Sequence, residues 1–292
     1  GSGSNTRAIV AAVAAHPEGL FICSNNVHFS LSRGMEAFGR TPVAVSTVPG
    51  GAMDMDDLGR VLRQAKADGV EDVCLFLVCG TTIYQAHDNI DGARAQLELA
   101  GFDDEHVYIH VDAAYPGFYL WCLREVEPGI RIDFDRQGIS SCCSSFQKSL
   151  GSPFMGSMLI MRNKYLTSKY YQYIRTNDFT FSCSRLATGS LEAYARVLAM
   201  TEEPGASEWK ELWERCVAAA AFFAERFRQA GVSLVINNPS SVTVVLPMPK
   251  DDLVKRFFLV TAPGCAAHGE SDNVAEIMFN FHNLEYDMSV AK

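Results

Sequence analysis

One apolar run constrains the fold of this chain more than any other stretch. The segment 73–79 reads VCLFLVC and is apolar at every position. A strand that is apolar on both faces has to be buried on both faces, as in a parallel sheet that helices cover from two sides. A second run, 107–111, is rich in β-branched and aromatic residues and indicates another buried strand.

Predicted helices alternate with predicted strands along the first part of the chain. Asp54 and the residues after it open an amphipathic helix with Leu58, Val61 and Leu62 on one face, and Gly69 ends it. The predicted order is a helix over about 6–15, strands over 20–24 and 43–48, the helix that starts at 54–57, the strand 73–79, a helix over 91–100, and the strand 107–111. This alternation implies right-handed crossovers and ligands at the carboxyl ends of the strands. The sequence therefore predicts an α/β protein.

Side chains with complementary chemistry follow these strands. Asp112 comes directly after the strand 107–111, and Thr82 follows the strand 73–79 by way of Gly80 and Thr81, so both belong to one edge of the sheet. A Ser/Cys-rich segment, 140–145, then precedes Lys148. Pyridoxal phosphate needs a lysine amine for its Schiff base and an acid that keeps its ring nitrogen protonated. This combination favours a pyridoxal-phosphate site.

The same residues resemble a known sequence motif. The run from His110 to Ala114, followed by Ser145 and Lys148, resembles the H-x-D-A-A…S-x-S-x-H-K pattern of the group II pyridoxal-phosphate-dependent amino-acid decarboxylases. The continuation 151–156 is most similar to the histidine and plant serine decarboxylase branch. One position departs from the pattern, because Gln147 stands where the family usually has His.

The resemblance implies a fold and a domain organisation. It implies pyridoxal-phosphate fold type I, which is an aspartate-aminotransferase-like large domain with a mixed, mostly parallel sheet, plus a small α+β C-terminal domain. The charged turn 202–205 is the best boundary, so we expect a cofactor-binding domain over 1–204 and a small domain over 205–292. The resembled enzymes have a further segment before the phosphate loop. We therefore expect a fragment, a shortened form, or a divergent protein that completes its site otherwise.

The resemblance also implies roles for individual residues. Lys148 would carry the cofactor as a Schiff base, Asp112 would pair with its ring nitrogen, and His28 would stack on the ring; these three are the catalytic candidates. Contacts with the cofactor are implied for Ser2, Gly3, Ser4, Asn5, His28, Thr82, Asp112, Ala114, Ser145, Gln147 and Lys148. An acidic residue near the cofactor pocket corresponds to Asp88. Arg185 is either an anchor for a carboxylate or the partner subunit's site, or a structural ion-pairing residue.

The first five residues, GSGSN, illustrate a choice between two interpretations. A small-residue loop that feeds a helix N-terminus binds phosphate, because unpaired N–H groups and the helix dipole point at the anion. In the resembled family a G-T-E-G-N-like loop has this role, and Ser2 to Asn5 stand at its positions. A Gly-Ser linker is the alternative. Likewise, His28 alone would more often be a helix-capping or core histidine than a cofactor contact, and Thr82 alone would form a turn as readily as it would contact a cofactor.

Composition excludes several classes of partner. The 292 residues are 48% hydrophobic and carry a net charge of −9, which disfavours nucleic acid and anionic membranes as partners. No apolar run reaches the length of a transmembrane helix. The nine cysteines form no C-x-x-C pair and predict reduced thiols of a cytoplasmic enzyme and no metal site. The resemblance implies a homodimer.

Three functions are compatible with these residues. The first is decarboxylation of an L-amino acid, histidine-like, aromatic or otherwise polar, to the amine and CO₂ by a carboxy-lyase. The second is another pyridoxal-phosphate lyase reaction, or an oxidative deamination, on the same scaffold. The third is a catalytically degenerate homologue that acts through its dimer surface. Intact Lys148, Asp112 and His28 favour an enzyme.

Overall fold

Six strands build the main sheet of the computed structural model, which describes residues 1–123, 130–135, 137–173, 175–178, 187–257, 259–263 and 273–279. The strands are β1 (Leu20–Ser24), β2 (Val43–Val45), β3 (Val73–Val78), β4 (Val107–Asp112), β5 (Ser141–Ser145) and β6 (Ser157–Met161). Their order is β2-β1-β3-β4-β5-β6. All neighbours are parallel except β6, which runs antiparallel to β5. The sheet is thus mixed and mostly parallel, as predicted.

Helices cover both faces of this sheet, and β3 shows why its sequence is apolar throughout. Its six residues are all buried. Leu75 and Leu77 pack into the cluster on the side of α3 (Met55–Ala67) and α4 (Ile90–Leu99), while Phe76 packs on the side of α1 (Ser2–Ala15) and α2 (Phe29–Ala37). A further helix, α5 (Gly117–Leu123), follows β4. Because alternate side chains of a strand point to opposite faces, both sets have to be apolar.

The C-terminal part adds a second sheet on a long helix. Its strands are β9 (Thr243–Pro247), β10 (Val260–Pro263) and β11 (Asn273–Met278), antiparallel in the order β10-β11-β9. The helices of this part are α6 (Ala187–Thr201), α7 (Gly205–Gln229) and α8 (Asp251–Phe257), and a ribbon of β7 (Lys169–Tyr171) and β8 (Thr176–Asp178) precedes them. Ala220 and Ala224 of α7 pack against Val244 and Leu246 of β9. The turn 202–205 lies between α6 and α7, and a domain boundary there stays a prediction.

The structure corrects several predicted boundaries. Helix α1 begins at Ser2, so the residues expected to form a loop before a helix at about 6 form its first turn. Strand β2 ends at Val45, three residues before the predicted end at 48. Small residues with little helix preference made the start of α1 hard to place from sequence.

Among the residues that the structure describes, no helix is both long enough and apolar enough to cross a bilayer.

Two leucines of helix α4 test which of its faces packs in the core. Leu97 is fully buried in the main core, whereas Leu99 of the same helix is 74% exposed. We expect Leu97→Ala to lower the free energy of unfolding by about 2–5 kcal/mol, because it leaves a cavity in the packed core. Leu99→Ala should change it by less than about 0.5 kcal/mol. Urea denaturation of both variants measures the difference; equal effects would contradict the placement of α4.

Candidate active site

The carboxyl ends of β3, β4 and β5 border a cavity of about 470 Å³, here called the central cavity. Nine of the eleven residues predicted to contact a cofactor line it. They are Ser2, Asn5, His28, Thr82, Asp112, Ala114, Ser145, Gln147 and Lys148. The three catalytic candidates therefore face the same space, although they lie far apart in the sequence.

Asp112 is the last residue of β4, and two donors fix its carboxylate. Its Oδ1 accepts a hydrogen bond from the main-chain N–H of Ala114 at 3.0 Å, and its Oδ2 accepts one from the Asn5 amide at 2.7 Å. The side chain is almost completely buried. Charge-assisted hydrogen bonds of this kind orient a carboxylate strongly.

Asn5 connects Asp112 to the rest of the site. Its amide nitrogen donates both to Asp112 and to the Ser30 hydroxyl, the latter at 3.0 Å. The amide oxygen is therefore an acceptor, and it lies 3.1 Å from Nε2 of His110 and 3.1 Å from Sγ of Cys143. All five groups are buried, so Asn5 satisfies polar atoms that water does not reach.

His110 is held neutral in one tautomer by this arrangement. Because the Asn5 oxygen accepts, Nε2 of His110 carries the proton, and Nδ1 accepts from the Ser141 hydroxyl at 2.8 Å. The Tyr108 hydroxyl lies 2.8 Å from the same Ser141 oxygen and extends the chain of hydrogen bonds. Burial lowers the pKa of His110 to about 4, against the opposing effect of the Asp112 charge. The ring is therefore uncharged at neutral pH.

His28 stands at the N-cap of α2, where its Nδ1 accepts from the Ser30 main chain at 3.2 Å and lies 2.8 Å from the Ser30 hydroxyl. Ser30 in turn accepts from Asn5, which donates to Asp112, so the side chains of Ser30 and Asn5 link His28 to Asp112. Burial and then the positive charge of Lys148 lower the pKa of His28. Its remaining proton is on Nε2. The capping role and the cavity-lining position coexist in this residue.

Lys148 lies in the turn after β5. Its main-chain N–H bonds to the carbonyl of Ser145 at 3.4 Å, and its side chain is exposed to the central cavity. Gln147 lines the same cavity, and its Oε1 accepts from the main-chain N–H of Gly156 at 3.3 Å. The glutamine in place of the usual histidine thus anchors the turn that carries Lys148.

The predicted phosphate-binding residues are only partly brought to the cavity. Gly3 is exposed, and the hydroxyl of buried Ser4 bonds to the hydroxyl of Ser157 at 2.7 Å, so neither lines the cavity. In a helix successive residues point in different directions, and only Ser2 and Asn5 of this turn face inward, with Gly1 beside them. The expected loop is therefore a helix N-terminus.

Two further sequence predictions lie elsewhere. Asp88 does not line the central cavity; its two carboxylate oxygens accept from the main-chain N–H groups of Met53 and Val78, both at 2.7 Å. It fixes the end of β3 and the loop before α3. Arg185 lies outside the described residues.

Several lining residues escaped sequence reasoning. Gly80 has a φ of +82°, and a side chain there would collide with Pro116, so this turn requires glycine. Tyr115 and Met278 also line the cavity, and Met278 comes from the C-terminal sheet. No local pattern marks Met278, because its position depends on how that sheet packs.

The described residues also form cavities apart from the central one. A larger groove of about 700 Å³ is lined mainly by apolar side chains, including Phe118, Trp121 and Ile160, and contains none of the predicted site residues. The seven described cysteines are buried and form no disulfide with one another. Burial raises, for example, the pKa of Cys23 to about 11. The described part of the chain contains no group of side chains suited to hold a metal ion.

The chain is similar in sequence to known proteins. The pyridoxal-dependent decarboxylase conserved domain matches residues 10–248. The chain is 30% identical over 254 residues to a histidine decarboxylase of Pseudomonas fluorescens, with 86% of this chain and 60% of that protein covered. It is 28% identical over 271 residues to a histidine decarboxylase of Klebsiella aerogenes, with 92% and 66% covered. The chain belongs to the pyridoxal-dependent decarboxylase family.

Solved structures show the same fold at low identity. L-methionine decarboxylase from Streptomyces sp. 590 superimposes with a TM-score of 0.75 at 18% identity, covering 99% of this chain and 76% of that one. A sphingosine-1-phosphate lyase from Burkholderia pseudomallei gives 0.75 at 14%, covering 96% and 63%. The predicted fold type I is confirmed. This family member spans 60–66% of the length of the histidine decarboxylases named above.

The site fits the family's cofactor, pyridoxal 5′-phosphate. The hydroxyl of Ser145 is fully buried, lines the central cavity and has no hydrogen-bond partner among the described residues. It lies near the N-terminus of α1, where main-chain N–H groups have no partner within the helix. A phosphate group suits such a pair of donors. Asp112 offers an acceptor and Lys148 an amine to the same space.

The neutral state of His110 predicts a pH dependence of stability. Its pKa is about 4 when folded and about 6.5 in an unfolded chain, so acid favours the unfolded state as the pH falls from about 6.5 towards 4. We expect the wild type to lose about 2 kcal/mol more than His110→Asn between pH 7 and pH 5. Urea denaturation at both values measures this, and equal losses would contradict a buried neutral ring.

Asn5 predicts a second effect. In Asn5→Ala the buried Asp112, Ser30 and His110 each lose a partner, so stability should fall by about 2 kcal/mol or more. The affinity for pyridoxal phosphate should fall about tenfold, because the carboxylate loses its orientation. Equilibrium dialysis of the cofactor measures it. Asn25→Ala, at an exposed asparagine, is the control and should match the wild type.

Proposed function

We propose that this protein is a pyridoxal-phosphate-dependent carboxy-lyase that converts an L-amino acid into its amine and CO₂. The observation that carries the proposal is the central cavity, where Lys148, Asp112 and His28 meet beside the N-terminus of α1. The similarity to histidine decarboxylases supports a substrate that is histidine-like, aromatic or otherwise polar.

Asp112 would hold the cofactor's ring nitrogen in its protonated form. Asn5 and the Ala114 N–H already orient the carboxylate, so little reorganisation is needed as charge develops. When bound, pyridoxal phosphate supplies an electron sink for the electron pair left by departing CO₂. By holding the ring nitrogen protonated, Asp112 would favour this withdrawal of charge.

Lys148 and His28 would both act on the cofactor. The Lys148 amine would hold the cofactor covalently until the substrate's amine replaces it, and it would afterwards stand free beside the reacting carbon. His28, uncharged and with a proton on Nε2, would pack against the ring face. Ser145 and the N-terminus of α1 would bind the phosphate.

We further propose that the enzyme is a cytoplasmic homodimer. The seven described cysteines are buried and form no disulfide with one another, which supports a reducing compartment. A dimer is supported by Phe154 and Met155, which follow the Lys148 turn and expose large apolar side chains, Met155 to 90%. Exposed apolar groups beside a cavity are typical of a surface that another protein covers.

Covalent labelling tests the central assignment. Borohydride reduction of the cofactor-loaded protein should leave a phosphopyridoxyl group on Lys148, detected by peptide mass spectrometry. Lys148→Ala should lose the label and reduce CO₂ release to background, because no other lysine among the described residues lines the central cavity. Lys164→Ala, at an exposed lysine elsewhere, should retain both.

A panel of L-amino acids then tests the reaction. We expect the amine and CO₂ in equal amounts from at least one amino acid with a polar or aromatic side chain. An aldehyde with ammonia would indicate oxidative deamination, and an unlabelled protein that releases neither product would indicate a degenerate homologue. Either result overturns the proposed function.

A further inference from the structure

The turn that carries Lys148, residues 145–152, is closed by main-chain hydrogen bonds. The N–H of Gly151 donates to the carbonyl of Lys148, and the N–H of Ser152 donates to the carbonyl of Phe146, both at 2.9 Å. Gly151 has a φ of +70°, a backbone conformation that glycine adopts readily. Ser152 is buried and ends this Lys148 turn, so a contact that holds its side chain also holds the turn.

The side chain of Ser152 both accepts and donates a hydrogen bond. Its oxygen accepts from the main-chain N–H of Phe154 at 3.1 Å, and its hydroxyl donates to Oε2 of Glu192 at 2.5 Å. The bond from Ser152 lowers the pKa of Glu192, so the carboxylate is ionised at neutral pH. Hydrogen bonds to a charged group are stronger than those between neutral groups. Glu192 therefore fixes the orientation of the Ser152 side chain.

Glu192 belongs to α6, and this helix contacts the Lys148 turn in two further ways. Arg196, one helical turn beyond Glu192, pairs with its Oε1 and places Nη1 3.5 Å from the carbonyl oxygen of Leu150. Leu150 is fully buried and belongs to the same apolar cluster as Ala193 of α6. Neither Glu192 nor Arg196 lines the central cavity, so an effect of Glu192 on the cofactor has to pass through the Lys148 turn.

The position of the turn matters because the Lys148 amine has to reach a reacting carbon. When the Schiff base forms, the nitrogen of Lys148 replaces the aldehyde oxygen of pyridoxal phosphate on its carbon, and that oxygen leaves as water. A displacement of the reacting groups by about 1 Å can slow such a step by about a hundredfold. The contact between Glu192 and Ser152 restrains the turn against such a displacement.

We propose that Glu192 is a positioning residue that, through Ser152, holds Lys148 within reach of the cofactor's aldehyde. This inference rests on the proposed function and adds to it a residue outside the central cavity. A merely structural role would lower the stability of the protein without changing how fast Lys148 reacts. A positioning role lowers that rate and leaves noncovalent binding of the cofactor unchanged.

Two forms of the cofactor separate these roles. Pyridoxal phosphate has an aldehyde and reacts with Lys148, whereas pyridoxine 5′-phosphate has an alcohol in its place and binds only noncovalently. In Glu192→Ala we expect the rate of Schiff base formation, followed by stopped-flow absorbance, to fall about tenfold. The dissociation constant of pyridoxine 5′-phosphate, measured by calorimetry, should stay within about twofold of the wild type. Glu192→Gln keeps an acceptor oxygen and should restore most of the rate.

Further variants test whether the effect passes through Ser152. Ser152→Ala should slow Schiff base formation as well, and the double variant with Glu192→Ala should be no slower than Ser152→Ala, because both substitutions remove the same contact. Glu192→Leu is a second variant without the acceptor, and thermal denaturation verifies that each variant is folded. Glu98→Ala in α4 is the matched control, since Glu98 also pairs with an arginine four residues away, and it should react as the wild type does.

The possible outcomes distinguish this inference from the proposed function. An unchanged rate in Glu192→Ala and Glu192→Leu, equal losses for the two forms of the cofactor, or additive effects of the two substitutions would overturn the role of Glu192. If the rate falls as expected while no amino acid yields CO₂, the proposed function fails alone. CO₂ release with an unaltered rate rejects only the role of Glu192, and a wild type that forms no Schiff base on Lys148 rejects both.

Discussion

The hydrogen bond between Asn5 and Asp112 is the contact on which the rest of the site depends. It joins the first turn of α1 to the end of β4 at 2.7 Å. Because the amide nitrogen of Asn5 donates to Asp112, the amide oxygen is the atom that accepts from other groups. The assignment of donors and acceptors then determines which nitrogen of His110 carries the proton. It also determines the orientation of Ser30 and His28. A buried polar network in which every group has a hydrogen-bond partner specifies one arrangement of its side chains. Here that arrangement orients the carboxylate of Asp112.

The fold was predictable because its strongest signals are local. The run 73–79 is apolar at every position and becomes the central strand β3, buried on both faces. Asp112 and Lys148 could be placed together because strand ends share one edge of a parallel sheet. The start of α1 was misplaced, since Ser2 to Asn5 have weak helix preference and their helical state depends on contacts with β4 and β6.

The remaining site residues depend on tertiary contacts that sequence does not encode locally. Met278 lines the central cavity only because β11 packs one face on α7 and the other on the loop after β3. Asp88 was expected near the cofactor pocket, yet both its oxygens are taken by main-chain N–H groups. Gln147 differs from the family pattern, and the turn that it anchors still points Lys148 into the central cavity.

The contact between α1 and the sheet predicts how cofactor binding changes the motion of this helix. If α1 separates from the sheet, Asp112, Ser30 and His110 lose their shared partner at once, so helix undocking and loosening of the carboxylate form one cooperative event. A phosphate at the helix N-terminus would oppose that event directly. Amide hydrogens of α1 should therefore exchange with deuterium more slowly when the cofactor is present, even where they never touch it.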